Sequence, residues 1–249
     1  MKELIRALLP RAIRPHRILA GPLRGRWIVT SWHDYPAGLT GRTERPLLDW
    51  FSQHVRAGDT WLDVGAHYGY TAFALAGLVG ASGRVFTFEP VPATAGCVDQ
   101  ARMLNGLSQV TVVPFGLGNA DALEMRRLPL TRGMADSTLA QDDSSWYAAV
   151  PFARFDWIWP LLNGSNDVVH GVKIDVQGME LDTLRGMQEM LERWHPHLVV
   201  ELHSGVSRPE VLDLLQGAGY SRDAVAVEPD AGEHVPGLLD NRSYAFRPV

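Results

Sequence analysis

Of the 23 lysines and arginines in the chain, only Lys2 and Lys173 are lysines. Lys173 stands two residues before Asp175 at the end of the apolar run "HGVKID", and Glu201 and His203 stand two apart at the end of "LVVELH". In an extended segment residues two apart share a face. Each run therefore delivers a pair of polar side chains to one face of a strand end. A histidine has the intrinsic pKa for a base at neutral pH, and a carboxylate serves if burial raises its own. Asp175, Glu201 and His203 are thus candidates to take a proton from a hydroxyl. Lys173, costly to bury unpaired, can pair with Asp175 or Glu201 and orient a carboxylate base or bond the substrate oxygen. The plainer readings are a lysine that snorkels to the sheet edge, an aspartate that caps the next helix and a rim histidine. Asp175, Glu180, Glu201 and His203 also carry metal-ligand atoms, but their spacing alone does not specify a site, and no metal is assigned.

A second group lies earlier, in "WLDVGAHYGY" and "FTFEP". Gly65 and Gly69 permit a tight turn and a close backbone approach at a helix start. His67 occupies the place of the second glycine of a dinucleotide fingerprint, so the turn is not of that kind. Asp63, two residues before Gly65, would repel a pyrophosphate and suits a ligand with an ammonium group. Glu89 ends the next apolar run, where an acid accepts bonds from ribose hydroxyls. S-adenosylmethionine has the ammonium and the ribose and lacks phosphate. Asp63, Gly65, Gly69 and Glu89 together point to it.

The elements that must hold these residues follow from the hydrophobic pattern. From about residue 58 short apolar runs alternate with helical stretches, as in parallel βαβ units. Strands are expected at Thr60–Val64, Arg84–Phe88, Val110–Phe115, His170–Asp175 and Leu198–Leu202. Helices are expected at Tyr68–Val79, Thr94–Asn105, Gly178–Arg193 and Pro209–Gly217. Residues 1–57 read as an N-terminal helical and β extension with lid elements, and residues 58–249 as the ligand-binding domain. Residues 27–57 open with Trp27, Trp32, His33, Asp34 and Tyr35 and continue into a helix near Thr43. Residues 116–168 are long and aromatic, and such stretches between strands are short strands, lids or binding loops. Trp32, His33, Tyr35 and "TRGMADST" are candidates for a lid over an acceptor. Glu44 either faces the ligand or serves the first turn of its helix.

At 249 residues and 46% hydrophobic content the chain can bury a full core, and a net charge of −5 argues against a general nucleic-acid binder. One cysteine, Cys97, excludes an internal disulfide framework, so a cytoplasmic protein is expected. The first 26 residues hold Lys2 and six arginines against Glu3. This basic start is expected to pack on the domain surface; the alternative is a peripheral contact with a membrane or a partner. No transmembrane segment is expected. Self-association is left open.

The stretches "GRTERPLLDWF", "GDTWLDVGAHYGYTAFAL", "GRVFTFEPVP", "NGLSQVTVVPFGLGN", "VKIDVQGMELDTLRGM" and "LVVELH", in this order, resemble the FkbM family of S-adenosylmethionine-dependent methyltransferases. The resemblance implies an α/β fold with a Rossmann-like class I methyltransferase sheet, mostly parallel and seven-stranded, plus an N-terminal extension and an inserted lid. It implies that the turn Asp63, Gly65, Ala66, His67, Gly69 and Tyr70 holds the methionine part of the cofactor. Glu89, with Pro90, would hold the ribose, and Phe115, Gly116 and Leu117 would lie near the adenine. It further implies a small-molecule hydroxyl acceptor, on a sugar, a glycolipid or a polyketide-type natural product. The family pattern has Glu where this chain has Gln177, which is therefore expected at the acceptor side.

Other functions predict different residues. An NAD-dependent oxidoreductase would show three glycines in the turn and no acid at position 63. A non-catalytic binding module would show a damaged turn, and this one is intact. An N-methylating enzyme on nucleic acid or protein would carry an Asn-Pro-Pro-aromatic motif after the fourth strand, where this chain reads "DVQG".

Overall fold

A computed structural model describes residue 6 and residues 8–135, 146–163, 167–228 and 237–249. Five strands run parallel at its centre: β3 (Thr60–Val64), β4 (Arg84–Phe88), β5 (Val110–Val113), β10 (Gly171–Ile174) and β11 (His197–Leu202). With β12 (Val225–Ala226) and β13 (Arg242–Phe246) they form a seven-stranded sheet in the order β12-β13-β11-β10-β3-β4-β5. β13 is antiparallel to both of its neighbours. This is the mostly parallel, seven-stranded α/β sheet that the sequence leads one to expect.

The alternation of side chains along each strand feeds two cores. Leu62, Val64, Phe86, Phe88, Val172 and Ile174 pack on one face, against α5 (Phe155–Asn163), α6 (Glu180–Arg185), α7 (Gln188–Trp194) and α8 (Arg208–Gly217). Trp61, Val85, Val110 and Val199 pack on the other, against α2 (Arg45–His54), α3 (Tyr70–Val79) and α4 (Pro92–Leu104). A sheet covered on both faces needs near-continuous apolar strands, and Asp63 and Lys173 are the buried charged residues within its described strands that mark the site. Helix α3 buries eight of its residues on all sides, as a helix between two layers must. No described helix is long and apolar enough to cross a membrane.

The N-terminal segment contributes the hairpin β1 (Arg14–Arg17) and β2 (Trp27–Thr30), and the short helix α1 (Pro36–Thr40). Ile18, Leu23, Ile28, Leu39, Leu47 and Phe51 share the second core with the sheet. Asn105 ties this hairpin down. Its Oδ1 accepts from the Trp27 backbone N–H at 2.8 Å, and its Nδ2 donates to the Trp27 carbonyl at 2.7 Å.

A second sheet, ordered β6-β9-β7-β8, is built from β6 (Gly116–Leu117), β7 (Glu124–Thr131), β8 (Met134–Ala135) and β9 (Tyr147–Ala153). The tip of the β7–β8 turn reaches the main sheet. The Arg132 carbonyl lies 3.1 Å from His67 Nε2, and Thr94 Oγ1 donates to the Gly133 carbonyl. Of the lid candidate "TRGMADST", residues 131–135 form this turn, and residues 136–138 lie outside the described residues.

The helix expected over Gly178–Arg193 is instead two helices, α6 and α7, broken at Gly186. A Cβ on Gly186 would lie 1.9 Å from the Gly118 carbonyl oxygen. The Asp156 carboxylate accepts from the backbone N–H groups of Glu189 and Met190, at 3.0 and 3.1 Å, and starts α7 afresh. β12 and β13 have no counterpart among the expected strands.

Candidate active site

A cavity of about 330 Å³ opens at the carboxyl ends of β3, β4, β10 and β11, where open α/β sheets bind ligands. Its floor is the turn after β3. Gly65 has φ +79°, and a Cβ there would lie 1.7 Å from the Asp175 carbonyl oxygen, so the β3 and β10 ends approach closely only because position 65 is glycine. His67 follows with φ +49°. Its backbone N–H donates to Glu89 Oε2 at 2.9 Å, while the Val91 N–H donates to Glu89 Oε1 at 3.0 Å. Each carboxylate oxygen thus keeps a lone pair for the cavity. Burial pushes the Glu89 carboxyl up to about 8, against the pull of these two N–H groups.

Lys173 lies opposite Asp63 in the β10–β3 register, so both side chains project to the same face. Lys173 Nζ donates to the Gly65 carbonyl at 2.9 Å and lies 3.3 Å from Asp63 Oδ1 and 3.6 Å from Asp175 Oδ2. Burial opposes its charge, but Asp63, Asp175, Glu44 and Glu201 together outweigh burial and raise its pKa. Asp63 is fully buried, and its Oδ2 accepts from Thr71 Oγ1 at 2.8 Å. The ammonium it faces here is that of Lys173. It backs the cavity wall without forming part of it.

Beyond Asp175 the chain turns through Gln177, φ +53°, and Gly178, φ +95°. The Gln177 amide lies between two acceptors, its Nε2 at 3.2 Å from Asp175 Oδ1 and 2.8 Å from His203 Nε2. The other imidazole nitrogen, Nδ1, is 2.6 Å from Oε1 of the fully buried Glu180. Glu180 is itself held at Oε1 by the Gly178 N–H. His203 Nε2 also lies 3.5 Å from Glu201 Oε1 and 3.7 Å from Asp175 Oδ1. Burial, the Asp175 charge and Glu44 push Glu201 up to about 8, although His203 and Lys173 pull the other way.

The structure brings most of the sequence candidates together. Gly65, Ala66, His67, Tyr70, Glu89 and Pro90 line the cavity at the β3 and β4 ends, and Phe115, Gly116 and Leu117 line it after β5. Lys173, Asp175, Gln177 and Glu201 line the opposite end, with Tyr35 from the N-terminal extension. His203 lies behind Gln177, off the wall. Gly69 is also off the wall; it starts α3 with φ +84° and packs against Phe73 and Val98. Trp32 and His33 are not on the wall either. The Trp32 ring meets His16 edge-on at 6.2 Å, and His33 Nδ1 bonds Asp34 Oδ1 at 2.9 Å.

Arg132, from the lid candidate "TRGMADST", and Phe152, from the aromatic stretch 116–168, are on the wall, whereas Glu180 in its role behind His203 and the wall residues Leu128 and Met179 were not singled out by the sequence. Glu44, left open by the sequence, is also on the wall, and burial followed by the Asp175 charge raises its pKa. Among the described residues seven non-glycine positions have positive φ, and four of them, Glu44, His67, Arg132 and Gln177, line this cavity. Backbone strain of this kind concentrates where a site over-determines the chain.

The family model of the Methyltransferase FkbM domain matches residues 63–222. A hexuronic acid methyltransferase, AglP, from Haloferax volcanii is 25% identical over 202 residues, covering 76% of this chain and 74% of its own. The structure of a methyltransferase FkbM from Methylobacillus flagellatus superposes with a TM-score of 0.50 at 17% identity, over 84% of this chain and 52% of that one. An S-adenosylmethionine-dependent O-methyltransferase from Thermotoga maritima gives a TM-score of 0.49 at 14% identity, over 82% of this chain and 65% of that one. The sheet is that of the class I methyltransferases. The match over residues 63–222, well over half of the chain, runs from the buried Asp63 past Glu201 and His203, and the chain belongs to the FkbM methyltransferase domain family.

Proposed function

We propose that the protein is an S-adenosylmethionine-dependent O-methyltransferase acting on a hydroxyl of a sugar or sugar-containing molecule. The observation that carries this reading is Glu89. Its two oxygens are fixed by backbone N–H groups at 2.9 and 3.0 Å, and it lines the same cavity as the proton-accepting groups at the ends of β10 and β11. A ribose with two adjacent hydroxyls fits such a carboxylate. The Tyr70 hydroxyl, a buried cavity group with no hydrogen-bond partner among the described residues, supplies a further unmet bond. The backbone turn at Gly65–His67 carries no phosphate-binding glycine pattern, in keeping with a phosphate-free cofactor. The hexuronic acid methyltransferase among the relatives favours a sugar hydroxyl over a polyketide one.

When bound, the cofactor supplies an activated methyl group on a sulfonium. A C–O bond forms as the C–S bond breaks, the C–S electron pair stays on sulfur, and the hydroxyl proton must leave the acceptor. Glu44, Asp175 and Glu201 line the cavity where that oxygen would lie, and His203 is within reach once Gln177 moves. Lys173, locked to Asp63 and the Gly65 carbonyl, positions Asp175. Isothermal titration with S-adenosylmethionine and with NAD tests the cofactor, and methyl transfer to uronic acids, neutral sugars and macrolides tests the acceptor. Binding of NAD without binding of S-adenosylmethionine overturns the reading.

A further inference from the structure

We propose that Asp175, Glu201 and His203 form a binding site for one divalent cation at the acceptor end of the cavity. The role of the cation rests on the methyltransferase reading; the existence of the site does not. Asp175, Glu201 and His203 each offer one ligand atom, and these atoms lie within 4.8 Å of one another. Nε2 of His203 is 3.5 Å from Glu201 Oε1 and 3.7 Å from Asp175 Oδ1. Ligands that share a cation at about 2.1 Å stand roughly 3 to 4 Å apart, so only small side-chain adjustments are needed.

The second atom of each ligand group is already held by a separate partner. Asp175 Oδ2 is 3.6 Å from the Lys173 ammonium, and Glu201 Oε2 accepts from Ser243 Oγ at 3.5 Å. His203 Nδ1 is 2.6 Å from Glu180 Oε1. With its ring proton on Nδ1, His203 donates to this carboxylate and leaves the Nε2 lone pair for a metal, the usual outer-shell arrangement of a metal-binding histidine. His203 is 4% exposed and reaches the cavity side through Nε2 alone.

What lies against these acceptors now is an amide N–H group. Gln177 Nε2, 2.8 Å from His203 Nε2 and 3.2 Å from Asp175 Oδ1, stands in for positive charge. Turning the amide over presents its oxygen to the same place, as a fourth ligand. The two carboxylates and the amide oxygen suit Mg²⁺ or Mn²⁺, and the imidazole tips the set toward Mn²⁺ of the two. A hydroxyl bound beside such an ion would lose its proton more readily, to Glu44 on the same wall, and its oxygen would take the methyl group as the C–S bond breaks with its electron pair left on sulfur.

The full chain, stripped with a chelator, is titrated with Mn²⁺ without cofactor and followed by electron paramagnetic resonance of free Mn²⁺. One ion per chain is expected, displaced by Mg²⁺. Glu180→Gln should weaken it about tenfold to a hundredfold, and Asp175→Asn and Glu201→Gln at least as much. Gln177→Glu, which adds a charged oxygen, should tighten it; a gain cannot come from misfolding. No bound Mn²⁺, or binding unchanged by Glu201→Gln and by Gln177→Glu, overturns the site. S-adenosylmethionine binding is titrated separately in chelator. A chain that holds Mn²⁺ in the first titration but binds no S-adenosylmethionine with or without the ion would refute the functional reading and leave the site, whereas methyl transfer at full rate in chelator would refute the role of the cation alone.

Discussion

Lys173 and Asp63 face each other across the β10–β3 register, with the ammonium 3.3 Å from the carboxylate and both side chains shut away from water. Breaking a buried pair leaves one charge uncompensated, whereas replacing both partners with apolar groups is far milder. Lys173→Met should therefore cost about 3–5 kcal/mol in stability, and Lys173→Met with Asp63→Leu should recover most of it. Urea unfolding of the two variants decides; equal losses in both would show that the pair is not the stabilising unit.

Glu89 gives the cofactor a pH dependence. Burial holds its carboxyl near 8 in the empty protein, so at pH 7 the empty form is mostly protonated. Ribose hydroxyls donate to the ionised form, so binding expels that proton. Affinity for S-adenosylmethionine should rise about tenfold per pH unit below 8 and level off above it. Titrations in buffers of different ionisation enthalpy should detect the released proton at pH 7, and Glu89→Gln should flatten the profile.

Gly65→Ala should disable the site more than any other single methyl group. The added carbon would lie 1.7 Å from the Asp175 carbonyl oxygen, at a φ of +79° that already disfavours it. A loss of more than about 2 kcal/mol in stability, together with loss of cofactor binding, is expected from thermal unfolding and calorimetry.

Tyr70→Phe separates fold from ligand. The hydroxyl is buried and has no hydrogen-bond partner among the described residues, so removing it should leave stability unchanged or slightly higher. If the hydroxyl meets a polar atom of the cofactor, affinity falls by about 1 kcal/mol, or roughly fivefold. An unchanged dissociation constant would rule out that contact.

Asn105→Ala tests how the N-terminal extension is held. The side chain satisfies both backbone groups of Trp27, at 2.8 and 2.7 Å, and leaving them unmet should cost about 1–3 kcal/mol. Faster hydrogen exchange confined to residues 14–30 would accompany that loss, and slow exchange there would argue against this role for Asn105.

The strands that carry the site were legible because their signal is local. Thr60–Val64 and Arg84–Phe88 begin and end where the apolar runs do. β12 and β13 were not, because β13 is antiparallel to β11 and the two-residue edge strand β12 to β13, and such strands owe their form to the partner. The break between α6 and α7 was hidden for a similar reason: Asp156, more than 30 residues earlier, supplies the cap.

The sequence alone determined the class of sheet, the glycine turn after β3, and the placing of Glu89, Asp175, Glu201 and His203 at strand ends. Periodicity and turn chemistry act over a few residues and do not depend on what packs around them. Only the tertiary structure decided which groups meet. It gave Asp63 to Lys173, set Glu180 behind His203 across 23 positions, and laid Gln177 between His203 and the cavity. A buried charge takes whichever partner the packing brings within a few ångströms, and that choice is a property of three-dimensional register, not of spacing along the chain.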